Sequence, residues 1–133
     1  MELVTHLDTW FSERLKTLRY DVIIQAYITS VLLKFKTSTD AFARDESVVL
    51  AFHDAKQSGS FVAYQRIGDW ILFVDSFYPE SIKSNQDVVE SIGQLSYYAC
   101  YRLLKRQWHV YERLADELPT IAKEIRNTLS VNL

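Results

Sequence analysis

Residues that interrupt helices are scarce in this chain, because only three glycines and two prolines occur among its 133 residues. A β-sandwich or a barrel needs many tight turns, and tight turns draw on glycine and proline. Hydrophobic residues make up 48% of the sequence, so enough apolar surface can be buried to order the chain. The sequence therefore predicts one all-α domain over residues 1–133.

Apolar residues recur at steps of three and four along five stretches, which is the spacing of helices that bury one face. The stretches are about 9–35, 46–57, 61–78, 85–117 and a short helix that begins at Pro119. The first has a break near Tyr20-Asp21, and the fourth is one long helix unless a bend occurs near Gln107. The expected N-terminal caps are Asp8, Asp45, Ser60 and Ser84. We therefore expect a single-domain bundle of about five helices.

The stretch 61–78 also fits a β-hairpin with a two-residue turn at Gly68-Asp69. Residues 70–74 are apolar at every position, however, so the alternation of a half-buried strand is absent. On a helical wheel the apolar residues share one broad arc, and Asp69 and Ser76 lie opposite that arc. The pattern favours a helix with one polar side.

Two acidic residues of this helix are candidates for polar contacts. Asp69 lies on the expected polar side, where it would be solvated or paired with Arg66, three residues earlier. Asp75 lies at the edge of the apolar arc, and a buried carboxylate must be hydrogen-bonded, paired or protonated. We expect a tyrosine hydroxyl or Arg102 to satisfy Asp75.

Two glycines, Gly68 and Gly93, fall inside predicted helices. Glycine costs a helix up to about 1 kcal/mol relative to alanine, so its use there calls for a packing reason. We expect two central helices to approach each other closely at these positions.

The segment from Ile67 to Glu80 combines a Gly-Asp pair, an apolar run and a Tyr-Pro-Glu end. A second glycine, Gly93, follows about two dozen residues later and precedes the pair Tyr97-Tyr98. This pattern resembles a family of uncharacterised bacterial all-helical proteins, over about a third of the chain. The resemblance implies helices rather than a hairpin. It implies no chemistry, because the family has none assigned.

Tyrosines and charged residues near the two glycines define a candidate ligand site. Convergent polar groups in a partly apolar pocket are typical of small-molecule sites. The residues that would line such a pocket are Tyr64, Asp69, Asp75, Tyr97, Tyr101 and Arg102. The alternative is that the rings fill the core and that Asp75 is a structural polar residue.

Charge is distributed unevenly, although the net charge is only −2. Residues 61–96 carry two basic and five acidic side chains, net −3, whereas residues 97–133 carry six basic and four acidic ones, net +2. The basic residues at helical spacing are Arg102, Lys105, Arg106, His109 and Arg113. Such a strip can hold an anion or an acidic partner, or it can be a solvated face. A globally basic nucleic-acid binder is excluded, and nucleic acid is not an expected partner.

Motifs for catalysis, nucleotide binding and metal binding are missing from the sequence. Cys100 is the single cysteine and is expected to be a packed thiol. We therefore predict no catalytic residue, no cofactor and no metal site. Neither a signal peptide nor a run of about 20 apolar residues is visible, so we expect a cytoplasmic protein without a membrane partner.

The sequence indicates a function that depends on amphipathic helix surfaces rather than on catalysis. We expect a non-catalytic helical interaction or regulatory module that forms a homodimer or binds another protein. The alternative is a small-molecule-binding protein or enzyme with a pocket between the helices that carry Gly68 and Gly93.

Overall fold

The computed structural model describes residues 20–37, 46–82 and 85–130, together with Thr9 and Glu13. Within these ranges the α-helices are α1 (Val22–Thr37), α2 (Glu46–Ser58), α3 (Phe61–Phe77), α4 (Gln86–Leu103) and α5 (His109–Ser130). A 3-10 turn, Pro79–Ser81, follows α3. The prediction of an all-α bundle is confirmed. Most of the helix predicted before residue 20 lies outside the described residues.

The central element is α3, which packs against all four of the other helices. Every residue from Ile67 to Ser76 is buried, because this part of the helix is surrounded on all sides and has no solvated face. This position explains why its sequence is apolar for five residues in a row. The predicted polar side is wrong, since Asp69 and Ser76 are both buried.

Two antiparallel hairpins, α3–α4 and α4–α5, form the core of the bundle. In the first, Gly68 faces Tyr97 near the middle, and Asp75 meets Gln86 at one end. In the second, Gly93 faces Leu118. These close approaches confirm the packing reason expected for the two glycines.

Short polar side chains cap the N-termini of α1, α3 and α4, whereas the predicted caps Asp8 and Asp45 lie outside the described residues. The Asp21 carboxylate accepts from the Ile24 N–H at 3.0 Å, next to the predicted break. The Ser60 hydroxyl accepts from the Ala63 N–H at 3.2 Å, as predicted. The cap of α4 is Asn85 rather than Ser84, which lies outside the described residues, and Asn85 accepts from the Asp87 N–H at 2.8 Å.

The single long helix to Glu117 is not formed, and the chain instead breaks near Gln107, which was the other possibility: α4 ends at Leu103 and the chain reverses direction before His109. Lys105 and Arg106 make this reversal in the left-handed region, with φ of 57° and 58°. Neither residue is a glycine, so composition did not mark the turn.

The predicted boundary at Pro119 is also wrong, because this proline lies inside α5. An interior proline removes one helical hydrogen bond and costs roughly 3 kcal/mol. Leu118 and Ile121 on either side of it are fully buried. Burying such a side chain contributes roughly 1.5–3 kcal/mol, so packing holds the helix together across the proline.

We expect Gly68→Ala to lower the free energy of unfolding by about 1–3 kcal/mol, although alanine is the better helix former. A Cβ atom at this position would lie 2.8 Å from the Tyr97 ring, which is fully buried and cannot move aside. Urea denaturation measures the change. Lys123→Ala, at an exposed position of α5, is the control, and a Gly68→Ala variant as stable as that control would contradict the close approach.

Candidate functional site

The structure buries two carboxylates of α3, and each has its own cluster of polar neighbours. Because α3 is enclosed by the other helices, water is not the main partner of either group. A buried charge without a partner is strongly unfavourable. The neighbouring helices therefore have to supply hydrogen-bond donors at two defined places.

Asp69 is held by two tyrosine hydroxyls from different helices. Tyr27 of α1 and Tyr97 of α4 donate to the same oxygen, Oδ1, at 2.7 Å and 2.8 Å. The Tyr111 hydroxyl of α5 interacts with Tyr27 and accepts from the Gln65 amide at 2.8 Å. We call Asp69 with these three tyrosines the Asp69 cluster. The expectation that Asp69 is solvated or paired with Arg66 is wrong.

The electrostatics of the Asp69 cluster follow from its burial. Burial raises the pKa of Asp69 to about 6, and the hydrogen bonds from Tyr27 and Tyr97 oppose that rise. Burial also raises the pKa of both tyrosines far above the ordinary value of 10.0. Both phenols therefore remain protonated at neutral pH and act as donors to the carboxylate. One acceptor, the Asp69 Oδ1, joins α3 to α1 and α4, and Tyr111 connects α5 to this acceptor through Tyr27.

Asp75 is fully buried. The sequence led us to expect that a tyrosine hydroxyl or Arg102 would hydrogen-bond its carboxylate, but in the part of the chain that the structure describes neither does so. The Gln86 amide of α4 donates to its Oδ1 at 2.7 Å. Arg126 of α5 donates to the backbone carbonyl of Asp75 at 2.8 Å, not to the carboxylate. Among the described residues no group hydrogen-bonds Oδ2 in standard geometry.

The neighbour of the Asp75 carboxylate is the carboxyl of Glu90, one turn further along α4. Burial raises the pKa of Glu90 to about 8, and the hydrogen bond and negative charge of Asp75 add to the rise. Asp87 raises this pKa further and Arg126 lowers it. A protonated Glu90 supplies a second donor to the Asp75 carboxylate, whose Oδ2 otherwise lacks one. We call Asp75, Gln86, Glu90 and Arg126 the Asp75 cluster.

The six residues predicted to line a pocket are divided among separate contacts. Asp69 and Tyr97 come together, whereas Asp75 belongs to the other cluster. Tyr64 packs edge-on against Phe52 of α2, and Tyr101 packs against His109. Arg102 is exposed, and its guanidinium lies 5.4 Å from the centre of the Tyr98 ring.

The predicted basic strip does not lie on one helix, so its expected helical spacing is wrong. Arg102 is on α4, Lys105 and Arg106 are in the turn, and the remaining two residues are on α5. His109 lies 3.3 Å from the Glu112 carboxylate. Arg113 pairs with Glu117. Two of the five basic groups therefore have an acidic neighbour on their own helix.

An apolar stripe on α4 faces solvent, which the sequence reading missed. Val88, Leu95 and Tyr98 are 50%, 54% and 42% exposed. We define the α4 stripe as Val88, Ser91, Leu95, Tyr98 and Arg102, all of them exposed. The inward side of α4 carries Ile92, Tyr97 and Cys100, which are buried. In the sequence, the alternation of steps of three and four residues between the five stripe positions was the signal that could have revealed the stripe.

Other features of the described residues offer little for chemistry. An open groove of about 400 Å³ lies between the start of α1 and the start of α5, with Ile23 and Trp108 in its wall. No group of three or more potential metal ligands occurs in the described ranges. Burial raises the pKa of the Cys100 thiol to about 12, which keeps it unreactive.

Comparisons with known proteins add no family and no fold relative. No protein-family model, no curated protein and no solved structure matches the chain. In the part of the chain that the structure describes, every helix is too short or too polar to cross a membrane.

We expect the stability of the protein to fall as pH rises from about 4.5 to about 8, in part through Glu90. The folded protein holds the Glu90 proton with a pKa of about 8 against an ordinary 4.5, so its contribution is complete below pH 4.5 and is lost above pH 8. Glu90→Gln keeps a neutral donor and should be more stable than the wild type in alkaline urea titrations. Glu112→Gln, near the other end of the bundle, is the control, and equal pH slopes for Glu90→Gln and wild type would contradict the assignment.

We expect Tyr97→Phe to lower the free energy of unfolding by about 1.5–3 kcal/mol at pH 7.5, because a buried carboxylate loses a donor. The loss should shrink at pH 5, where Asp69, with a pKa of about 6, is protonated. Urea denaturation of Tyr97→Phe is compared with that of Tyr98→Phe, which removes a hydroxyl from an exposed neighbouring tyrosine. The difference between the two variants is the effect specific to the Asp69 cluster. A loss that is the same at both pH values would count against the charged acceptor.

Proposed function

We propose that the protein is a non-catalytic interaction module that contacts another protein chain through the α4 stripe. The single observation that carries this proposal is the exposure of Val88, Leu95 and Tyr98 along one line of an ordered helix. Single exposed apolar residues need no explanation, but several apolar side chains aligned on one face of a helix are typical of a contact surface. The cytoplasm of a bacterium is the setting that we infer from the sequence.

The α4 stripe has the composition of a binding surface as well as its exposure. Tyrosine and arginine are enriched among the residues that contribute most to protein interfaces. In this stripe the Arg102 guanidinium lies over the Tyr98 ring, which orders both side chains. An ordered aromatic side chain loses little conformational freedom when a partner covers it.

The position of α4 in the bundle supports a rigid docking face. Its inner residues Ile92, Tyr97 and Cys100 are buried against α3 and α5. The Tyr97 hydroxyl is further fixed by its hydrogen bond to Asp69. The buried clusters therefore serve the outer stripe by holding α4 in place, and this is the role we assign to them.

The same clusters favour a structural role over catalysis. The phenols of the Asp69 cluster are donors with raised pKa values, and Cys100 is a buried thiol. Added Cβ atoms at Gly68 and Gly93 would collide with Tyr97 and Ile71, so side chains fill the space between these two helices there. No specific observation favours the alternative of a ligand pocket at this place.

Site-specific photocrosslinking in cells that express the protein tests the proposed surface. A photoreactive phenylalanine analogue replaces Leu95 in one variant and Val62 of α3, which is 66% exposed, in a matched control. We expect a protein adduct from position 95 and none from position 62. Adducts of equal yield from both positions, or none from position 95, would overturn the proposal.

A further inference from the structure

We propose that the chain that covers the α4 stripe is a second copy of this protein, packed with its α4 antiparallel to the first. This inference rests on the proposed function, because it names the occupant of the same surface. It follows from the spacing of the stripe, its symmetry and the charges at its two ends.

The spacing of the stripe matches helix-to-helix packing. Steps of three, four, three and four residues separate Val88, Ser91, Leu95, Tyr98 and Arg102. This alternation is the seam of a left-handed helix pair, in which each side chain of one helix fits between four of the other. The helices of such a pair cross at about 20°. A partner helix is therefore a better match than a loop or a strand.

The stripe is close to symmetric about Leu95, because Val88 and Arg102 are each seven residues away, Ser91 is four residues before it and Tyr98 is three residues after it. A two-fold axis at Leu95 sets the Leu95 side chains of the two copies against each other. Each Tyr98 then lies near Ser91 of the other copy, one residue from the position directly opposite, so a large side chain is set beside a small one. One patch used twice is the interface type of two-fold homodimers, the commonest symmetric oligomers.

Charge at the two ends of α4 selects the antiparallel arrangement. Exposed Asp87 lies at the N-terminal end, and exposed Arg102, Lys105 and Arg106 lie at the C-terminal end. Antiparallel helices place the acidic end of each copy beside the basic end of the other. A parallel pair would set like charges together, which is unfavourable. The helix dipoles favour the antiparallel pair as well.

Other exposed apolar residues form weaker candidates for this contact. Val49 and Leu50 are adjacent in α2 and therefore point in different directions. Val22 and Ile23, at the start of α1, adjoin residues 1–19, which are largely outside the described part of the chain. The α4 stripe combines exposed apolar side chains, the residue spacing of helix-to-helix packing and opposite charges at the two ends of the helix.

Cysteine crosslinking of the purified full chain tests both the partner and its direction. Cys100 is buried, and burial raises its pKa to about 12, so it does not compete for the reagent. We expect Leu95→Cys to form a disulfide-linked dimer under mild oxidation. A mixture of Val88→Cys and Arg102→Cys should form the mixed dimer, whereas Val88→Cys alone should not link to itself. Val62→Cys is the control outside the stripe.

Light scattering at several protein concentrations supplies the second readout. We expect a concentration-dependent dimer that Leu95→Glu abolishes and Val62→Glu leaves intact, with circular dichroism showing that both variants are folded. If the protein is a strict monomer but position 95 still forms photoadducts with another protein, the proposal of a second copy as partner is wrong and the proposed function stands. Efficient self-linking of Val88→Cys would overturn the antiparallel direction.

Charge reversal separates an interface role from an effect on the helix itself. Asp87→Lys should raise the dimer dissociation constant about tenfold, because the contact occurs twice in a symmetric pair. Combining Asp87→Lys with Arg102→Glu should restore most of the affinity. Loss without restoration in the double variant would contradict the pairing of these two ends.

Discussion

The burial of two carboxylates on a helix that is enclosed by all the others constrains the rest of this bundle. An unpaired carboxylate in that position would destabilise the fold by several kcal/mol. Asp69 therefore requires Tyr27 and Tyr97 at hydrogen-bonding distance, which sets how α1 and α4 lie along α3. Asp75 requires Gln86 and a protonated Glu90, which sets the first turn of α4. Hydrophobic burial drives the helices together, and these polar contacts select their alignment.

Local features of the fold were predictable from the sequence because their causes are local. The Ser60 cap, the end of α2 at Gly59 and the helical nature of 61–77 depend on neighbouring residues alone. The close approach at Gly68 was also predictable, because a glycine inside a helix needs a packing reason. The partner of Asp69 was not, since Tyr27 lies 42 residues away in the chain. No periodicity within one helix reports a contact over that separation.

The surfaces of α4 show where sequence patterns stop being informative. This helix carries apolar residues on more than one side, so periodicity allows several stripes and does not say which faces the core. The sequence allowed a bend near Gln107 but did not mark a full reversal of the chain, because residues other than glycine adopt the left-handed conformation at Lys105 and Arg106. Once the chain is known to turn, Ile92 and Tyr97 face inward and Leu95 faces solvent. The candidate interface thus becomes visible only in three dimensions.

The two hydrogen bonds made by Asp75 differ in how they would tolerate substitution at position 75 during evolution. Arg126 binds the backbone carbonyl, which every amino acid at position 75 provides, so the tie between α3 and α5 survives substitution. Gln86 binds the side chain, so the tie to the first turn of α4 depends on the aspartate itself. That turn lies directly before Val88, where the α4 stripe begins. Neutral change at position 75 would therefore loosen the outer contact surface while leaving the other half of the bundle in register.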